Sequence, residues 1–251
     1  VMTAPSEELN DEHLRLFADY ALSDGGVLTG RCKYREDNVQ VSLVNLKPDN
    51  FERRSRRPGN IIDAFSRTGL RIVATKVFKM SVAQGEDFYG PLKDIFVEKL
   101  RPKVAQVILE RLSGAFGFGF SGRDADEMAA LLAERNARWE FNRIVEYMTG
   151  VNPDTVDESE KSTVGRTKCL AMLYEGPNAI EKIRDVLGST DPSKAEPGTV
   201  RSDFGRDLMR NGAHASDSPR SAERERGIIG LDESEEESCD VCQIVNEHLG
   251  R

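Results

Sequence analysis

One strand-like segment near the start of the chain constrains the fold most strongly. Apolar side chains alternate along Val39–Leu46, and a period of two residues is typical of a β-strand with two distinct faces. Lys47 and Pro48 end this strand, because proline has no backbone N–H to donate to a sheet. The first face is predicted to carry Val39, Val41, Leu43 and Asn45, and the second Val44 and Leu46.

The segments that follow predict an α+β fold. An amphipathic helix begins near Pro58, and residues 70–80 form a second strand that is rich in isoleucine and valine. Residues 169–174 predict a third, buried strand, which leads into a helix that carries Arg184. Ser218 followed by Pro219 is a typical helix start, so a short helix is expected over about residues 219–226.

A single histidine lies between a basic, Pro/Gly-rich loop and that last helix. Histidine is well suited to act as a nitrogen nucleophile near pH 7, because its neutral form is well populated there. Glu225 can reach back from the helix to one ring nitrogen of His214, which would leave the other nitrogen to attack. With Arg201 and Asn211 as donors, this set predicts phosphoryl transfer; the simpler interpretation is a histidine that caps or packs a loop.

Composition and charge limit the classes of protein to consider. The chain has 251 residues, of which 38% are hydrophobic and 31% charged, and no apolar run approaches the roughly 18 residues of a membrane span. A net charge of -8 argues against nucleic acid as a partner. The start of the chain lacks the layout of a secretory signal, and four scattered cysteines favour a reducing cytoplasm. A basic cluster, Arg53, Arg54, Arg56 and Arg57, is either a solvated loop or attracts an anionic substrate.

Several motifs together resemble the nucleoside diphosphate kinase family. The strongest is the run from Asn211 to Ser218, with His214 at its centre and Glu225 in the following helix. The loop over residues 198–204, the Lys47-Pro48-Asp49 motif and the Tyr147-Met148 pair agree with it. The resemblance covers roughly residues 38–94, 138–150 and 168–226.

Membership of this family implies a ferredoxin-like antiparallel sheet flanked by helices. It also implies ping-pong transfer of the γ-phosphoryl group of ATP or another nucleoside triphosphate to a nucleoside diphosphate, with Mg²⁺ carried by the nucleotide phosphates and a homo-oligomeric assembly. The implied catalytic residues are the nucleophile His214, the orienting carboxylate Glu225 and its support Ser216. The implied nucleotide-binding residues are Lys47, Tyr89, Phe141, Arg184, Thr190, Arg201 and Asn211, with Phe141 as the aromatic next to the base.

The family-like domain is predicted over residues 38–230, with an N-terminal extension (1–37) and an acidic tail (231–251). Residues 95–137 are predicted to be an inserted helical hairpin, with helices over about 95–112 and 123–137, and residues 151–165 an inserted loop. Glycines 117, 119 and 122 match a dinucleotide-binding pattern, but that pattern requires a preceding strand. A helix precedes them here, so they predict a turn between helices.

Two other classes of function remain open. An inactive relative would serve as a nucleotide-binding scaffold, with its insertions as the partner surface. A redox or metal protein would centre on Cys239 and Cys242. Ala215 bears on the first alternative, because it replaces the glycine usual after the histidine, and its methyl group could crowd His214 or be incompatible with a positive φ.

Overall fold

The computed structural model describes residues 8–9, 11–14 and 38–231. Residues 8–9 and 11–14 are helical, whereas the rest of the predicted N-terminal extension lies outside the described residues. So does the tail from residue 232, with Cys239 and Cys242. The chain divides into two compact units, one from Val1–Val77 and Leu170–Arg251 and the other from Phe78–Cys169.

The first unit is built on a four-stranded antiparallel sheet. Its strands are β1 (Val39–Leu46), β2 (Arg71–Phe78), β3 (Cys169–Pro177) and β4 (Ala213–Ala215). Their spatial order is β2-β3-β1-β4, and β1 pairs antiparallel with both β3 and β4. This order is that of the ferredoxin-like fold, which confirms the fold class predicted from the sequence.

The two faces of β1 follow the predicted alternation. Val44 and Leu46 are fully buried in a core that includes Met172 of β3. The same core contains side chains of α1 (Arg57–Ser66), α6 (Ala179–Leu187) and α7 (Val200–Phe204), namely Ile61, Phe65, Ile183, Leu187 and Val200. Leu43 and Asn45, on the other face, are also fully buried. The sheet is therefore covered on both sides along β1.

The last described helix begins where the sequence predicted it. Helix α8 spans Pro219–Ile228, and the Ser218 side chain accepts a hydrogen bond from the Ser221 N–H. This bond satisfies one of the N–H groups that have no partner in the first turn of a helix. The capped end fixes the direction of α8 and thereby the position of Glu225, which lies two turns further on.

The second unit is helical. Helix α2 (Val82–Phe88) is followed by α3 (Leu92–Val107), a π-helical turn (Ile108–Leu112), α4 (Ser113–Phe116) and α5 (Gly122–Thr149). Alanines spaced four residues apart along α5 are buried, and Ala125 and Ala129 pack in one cluster with Ile108. Small residues at this spacing let two helices approach closely. The predicted helical hairpin is therefore present, with α3 and α5 as its two long helices.

The second helix of the hairpin is longer than predicted. We expected it to end near residue 137, but α5 continues without a break for 28 residues, to Thr149. The sequence between Ala137 and Phe141 contains neither glycine nor proline, so nothing in it stops a helix. Gly150, at φ 72°, ends α5 in the left-handed conformation that glycine adopts readily. As predicted, the glycine pattern at 117–122 is a turn between helices.

Gly205 offers a test of packing beside the candidate site. A Cβ atom at this position would lie 2.3 Å from the Arg201 carbonyl oxygen and 2.5 Å from Pro192 Cγ. We expect Gly205→Ala to lower the free energy of unfolding by about 1–3 kcal/mol, because backbone must move to admit the methyl group. Urea unfolding followed by circular dichroism measures this.

Gly227→Ala is the matched control. Nothing lies within 4 Å of a Cβ atom at Gly227, which is part of α8. Alanine should therefore raise the free energy of unfolding by about 0.5–1 kcal/mol through its better helix propensity. Equal effects of the two substitutions would contradict the packing described at Gly205.

Candidate active site

His214 occupies the middle of the short edge strand β4. It pairs with Asn45 of β1, and neighbouring hydrogen bonds join Lys47 N to the Gly212 carbonyl oxygen (3.0 Å) and Ser216 N to the Leu43 carbonyl oxygen (3.1 Å). These bonds fix the backbone on both sides of the histidine. Its side chain is 22% exposed, so the imidazole is held by the sheet and still reaches solvent.

Glu225 orients the His214 ring. Its Oε2 atom lies 3.0 Å from His214 Nε2 and accepts a 2.6 Å hydrogen bond from the Ser216 hydroxyl. Glu225 is 5% exposed and Ser216 is fully buried. Because a carboxylate can only accept hydrogen bonds, the neutral ring carries its proton on Nε2 and its lone pair on Nδ1. The three predicted catalytic residues are therefore in contact.

Lys47 and Asn211 form a second polar group next to β4. Lys47 follows β1 and is 9% exposed, and its Nζ donates to Asn211 Oδ1 (2.7 Å) and to the Met209 carbonyl oxygen (3.1 Å). The Asn211 amide in turn donates to the carbonyl oxygen of Thr190 at 2.9 Å. Three of the predicted nucleotide-binding residues are thus joined by hydrogen bonds, Thr190 through its main chain.

Arg201 ties helix α7 to the strand that carries the histidine. Its Nη1 donates to the Gly188 carbonyl oxygen at 3.0 Å and its Nη2 to the Ala213 carbonyl oxygen at 3.2 Å. The guanidinium group therefore lies beside the residue that precedes His214. A cation at this place can neutralise charge on a group that is bound to the ring.

Arg184 lies on the exposed surface of α6, near Asp217. Hydrogen bonds from Ser221 and Ser218 and the positive charge of Arg184 lower the pKa of Asp217 below its usual value, against the opposing effect of partial burial. Arg184 and Asp217 line a cavity of about 460 Å³. Asp217 is three residues along the chain from His214, and a role of Arg184 in binding phosphate stays a prediction.

The basic cluster has two parts with different surroundings. Arg53, Arg54 and Arg56 are exposed, whereas Arg57 donates to Asn50 Oδ1 and to Asp49 Oδ2, both at 2.7 Å, and to the Phe204 carbonyl oxygen. Asn50 also donates to the Gly212 carbonyl oxygen at 2.6 Å. Arg57 thus fastens the loop after Lys47 to α7. Sequence reasoning missed this contact, because it joins segments that are far apart in the chain.

Comparisons with known proteins identify the family. The nucleoside diphosphate kinase family model matches residues 123–233. A nucleoside diphosphate kinase of Methanobrevibacter smithii is 31% identical over 211 residues, which are 84% of this chain and 97% of that protein. A nucleoside diphosphate kinase of Symbiobacterium thermophilum is 30% identical over 187 residues, which are 74% of this chain and 84% of that protein. The chain belongs to the nucleoside diphosphate kinase family.

Among solved structures, an NDP kinase from Pyrobaculum aerophilum matches with a TM-score of 0.50 and 29% identity, covering 78% of this chain and 98% of its own. The family predicted from the sequence motifs is therefore confirmed. No helix in the described part of the chain is long and apolar enough to cross a membrane.

Ala215, a departure from the family pattern, is compatible with the observed backbone. It lies in β4, and the non-glycine residues at positive φ among those described are Asn38 and Asn178. Ala215 therefore does not have a positive φ, and its methyl group causes no strain of that kind. Gly212, at φ 82°, makes the sharp turn into the strand instead.

Two nucleotide-binding residues expected from the family lie in the second unit. Tyr89 is 7% exposed and packs against Phe88, with ring centroids 5.0 Å apart. Phe141 is 2% exposed, and the Lys93 ammonium group lies 4.5 Å from its ring centroid. A ring that stacks on a base must expose one face, which the Phe141 ring does not do in this structure. Both roles stay predictions.

Proposed function

We propose that this member of the nucleoside diphosphate kinase family is catalytically active and transfers phosphoryl groups through His214. The observation that carries the proposal is the contact of His214 Nε2 with Glu225, which is itself held by Ser216. This contact directs the lone pair to Nδ1 on a ring that solvent reaches. A module that only binds nucleotides has no use for such an oriented nucleophile.

The proposed reaction has two balanced halves. The Nδ1 lone pair attacks the γ-phosphorus of a nucleoside triphosphate, and an N–P bond forms while the bond from phosphorus to the β–γ bridging oxygen breaks. The nucleoside diphosphate leaves with that electron pair, and the proton on Nε2 stays in place. An oxygen of the terminal phosphate of a second nucleoside diphosphate then attacks phosphorus, and Nδ1 regains its lone pair.

The charges around His214 suit this chemistry. Phosphoryl transfer requires mainly positioning and neutralisation of negative charge, and Lys47, Arg184 and Arg201 supply three cations. Asn211, Thr190 and Tyr89 complete the proposed phosphate and sugar contacts, and Phe141 the base contact. Donors of this kind fit a triphosphate that brings its own Mg²⁺, which would neutralise phosphate charge when bound. Among the described residues, no three acidic, histidine or cysteine side chains converge to hold a metal.

The proposal also covers the substrates, the assembly and the cellular location of the enzyme. Nucleoside tri- and diphosphates are its proposed substrates, and nucleic acid is not a proposed partner. A homo-oligomeric assembly and a cytoplasmic location are further parts of the proposal, the second resting on the four scattered cysteines.

Labelling with γ-³²P ATP tests the proposal. We expect the protein to retain label in a form that acid removes and base does not, as for a phosphohistidine. Adding a nucleoside diphosphate should remove the label and yield a labelled triphosphate. ATP binding at equilibrium without any phosphoenzyme would contradict the proposal and favour the scaffold alternative.

A further inference from the structure

Asn45 is the direct cross-strand neighbour of His214. The hydrogen bonds between 47 and 212 and between 43 and 216 place residues 45 and 214 in a hydrogen-bonded pair of the antiparallel ladder. Side chains of directly opposite residues lie on the same face of a sheet, with Cβ atoms roughly 4.5–5.5 Å apart. The carboxamide of Asn45 and the imidazole of His214 are therefore neighbours.

The carboxamide of Asn45 is buried, and no described residue makes a hydrogen bond to it. The residue is 0% exposed, and within the described part of the chain neither Oδ1 nor Nδ2 has a hydrogen-bond partner. A buried polar group left in this state destabilises a protein, and such groups are rare in native structures. Leucine has nearly the same shape and no polar atoms, so packing alone does not explain an asparagine here.

The Asn45 amide and the Nδ1 atom of His214 are expected at the same height above the sheet. The Asn45 oxygen and nitrogen and the His214 Nδ1 are each three bonds from their Cα atoms. Nε2 lies further out, where Glu225 contacts it. The amide is therefore expected at the height of Nδ1 above the sheet and not at that of Nε2, and Nδ1 is the atom that takes the phosphoryl group in the proposed function.

We propose that Asn45 is a further functional residue of the site, whose carboxamide oxygen stabilises the ring of His214 in its phosphorylated form. This inference rests on the proposed function. When Nδ1 forms the N–P bond while Nε2 keeps its proton, the ring changes from neutral to positively charged. A fixed dipole in a dry environment stabilises such a charge strongly, because it needs no reorganisation during the reaction.

The lack of a competing partner fits this role. A carboxamide that is already hydrogen-bonded would have part of its dipole compensated in the resting enzyme. The unbonded amide of Asn45 instead destabilises the resting enzyme and interacts best once the ring is charged. Interactions that are stronger in the transition state than in the ground state are the ones that accelerate a reaction.

The test is the phosphoenzyme equilibrium of Asn45→Leu, measured by mixing the full-length protein with ATP and ADP at set ratios. We expect the equilibrium to shift toward the unphosphorylated enzyme and kcat to fall, each by roughly 10- to 100-fold, with KM changed less than about twofold. The melting temperature should rise by about 2–4 °C, because a buried polar group without a hydrogen bond is removed. A purely structural asparagine would not produce this combination.

Ser42→Ala is the matched control on the same strand. Ser42 is fully buried, and its hydroxyl has no hydrogen-bond partner among the described residues. It pairs with Tyr174 and lies on the opposite face of β1 from Asn45. Its removal should leave the phosphoenzyme equilibrium and kcat unchanged.

Asn45→Ala provides a second variant if the leucine side chain prevents folding, and it should shift the equilibrium in the same direction. An unchanged equilibrium and kcat in the folded variant, or a shift toward the phosphoenzyme, would overturn the role of Asn45. If the wild-type protein forms no phosphoenzyme at all, the proposed function itself fails, and the inference with it.

Discussion

We expect His214→Ala to abolish the phosphoenzyme and to lower kcat/KM for phosphoryl transfer by at least about 10⁴-fold. Alanine removes the nitrogen that would form the covalent intermediate. Residues 38–231 contain no second histidine that could replace it. Folding should be preserved, because the histidine is partly exposed and the flanking strand bonds come from the backbone. A coupled assay of nucleoside triphosphate formation, together with labelling by γ-³²P ATP, measures both effects.

His13→Ala is the control for this prediction. His13 belongs to a short helical stretch near the start of the chain, and nothing in its sequence context suggests chemistry. Its replacement should leave labelling and kcat/KM within about twofold of wild type. Label that persists in His214→Ala would show that another side chain accepts the phosphoryl group, and the site would then have to be sought elsewhere.

The second large effect should come from Glu225. In Glu225→Ala, the His214 ring loses the acceptor that keeps its proton on Nε2, and the Ser216 hydroxyl loses its acceptor as well. We expect kcat to fall by roughly 10²- to 10³-fold with a small change in KM, because the carboxylate acts on the nucleophile and not on the nucleotide. Steady-state kinetics with ATP and a nucleoside diphosphate, beside a circular dichroism spectrum to check folding, measures this.

A double-mutant cycle of Ser216→Ala and Glu225→Ala shows whether these two side chains act on His214 together or independently. Ser216→Ala alone should lower kcat by about tenfold, since the carboxylate stays but loses the hydrogen bond that orients it. The double variant should be no slower than Glu225→Ala, because Ser216 acts on the histidine only through Glu225. Additive losses would mean that Ser216 contributes by a separate route, which would contradict the arrangement described.

Local patterns in the sequence predicted those parts of the fold that depend on neighbouring residues. The alternation along β1 and the Ser218 cap of α8 are of this kind, and both were confirmed. Strand β4 could not be assigned to particular residues from the sequence, because three residues are too few to show a period. The end of the second hairpin helix was wrong because a resemblance to the family resumed there, although no residue that breaks a helix was present.

In the candidate site, too, some contacts could be predicted from the sequence and others could not. His214 and Glu225 are 11 residues apart, so a cap and a helix length were enough to predict their contact. The position of Asn45 beside His214 depends on the register between strands that are distant in the chain. The bonds from Arg57 to Asn50 and Asp49 likewise depend on how the loop after β1 folds back on α1. Neither could be obtained from spacing or composition.

The position of β4 at the edge of the sheet has a consequence for solubility. In the ladder with β1, the Ala213 carbonyl oxygen points away from β1, on the side where an uncovered edge would accept another strand, and here Ala213 is 0% exposed. Exposed strand edges promote aggregation, and proteins often block them with charged side chains. The guanidinium group of Arg201 is bonded to this carbonyl, so the arginine that would bind phosphate also blocks strand addition. Selection for catalysis and selection against aggregation would then act on the same side chain.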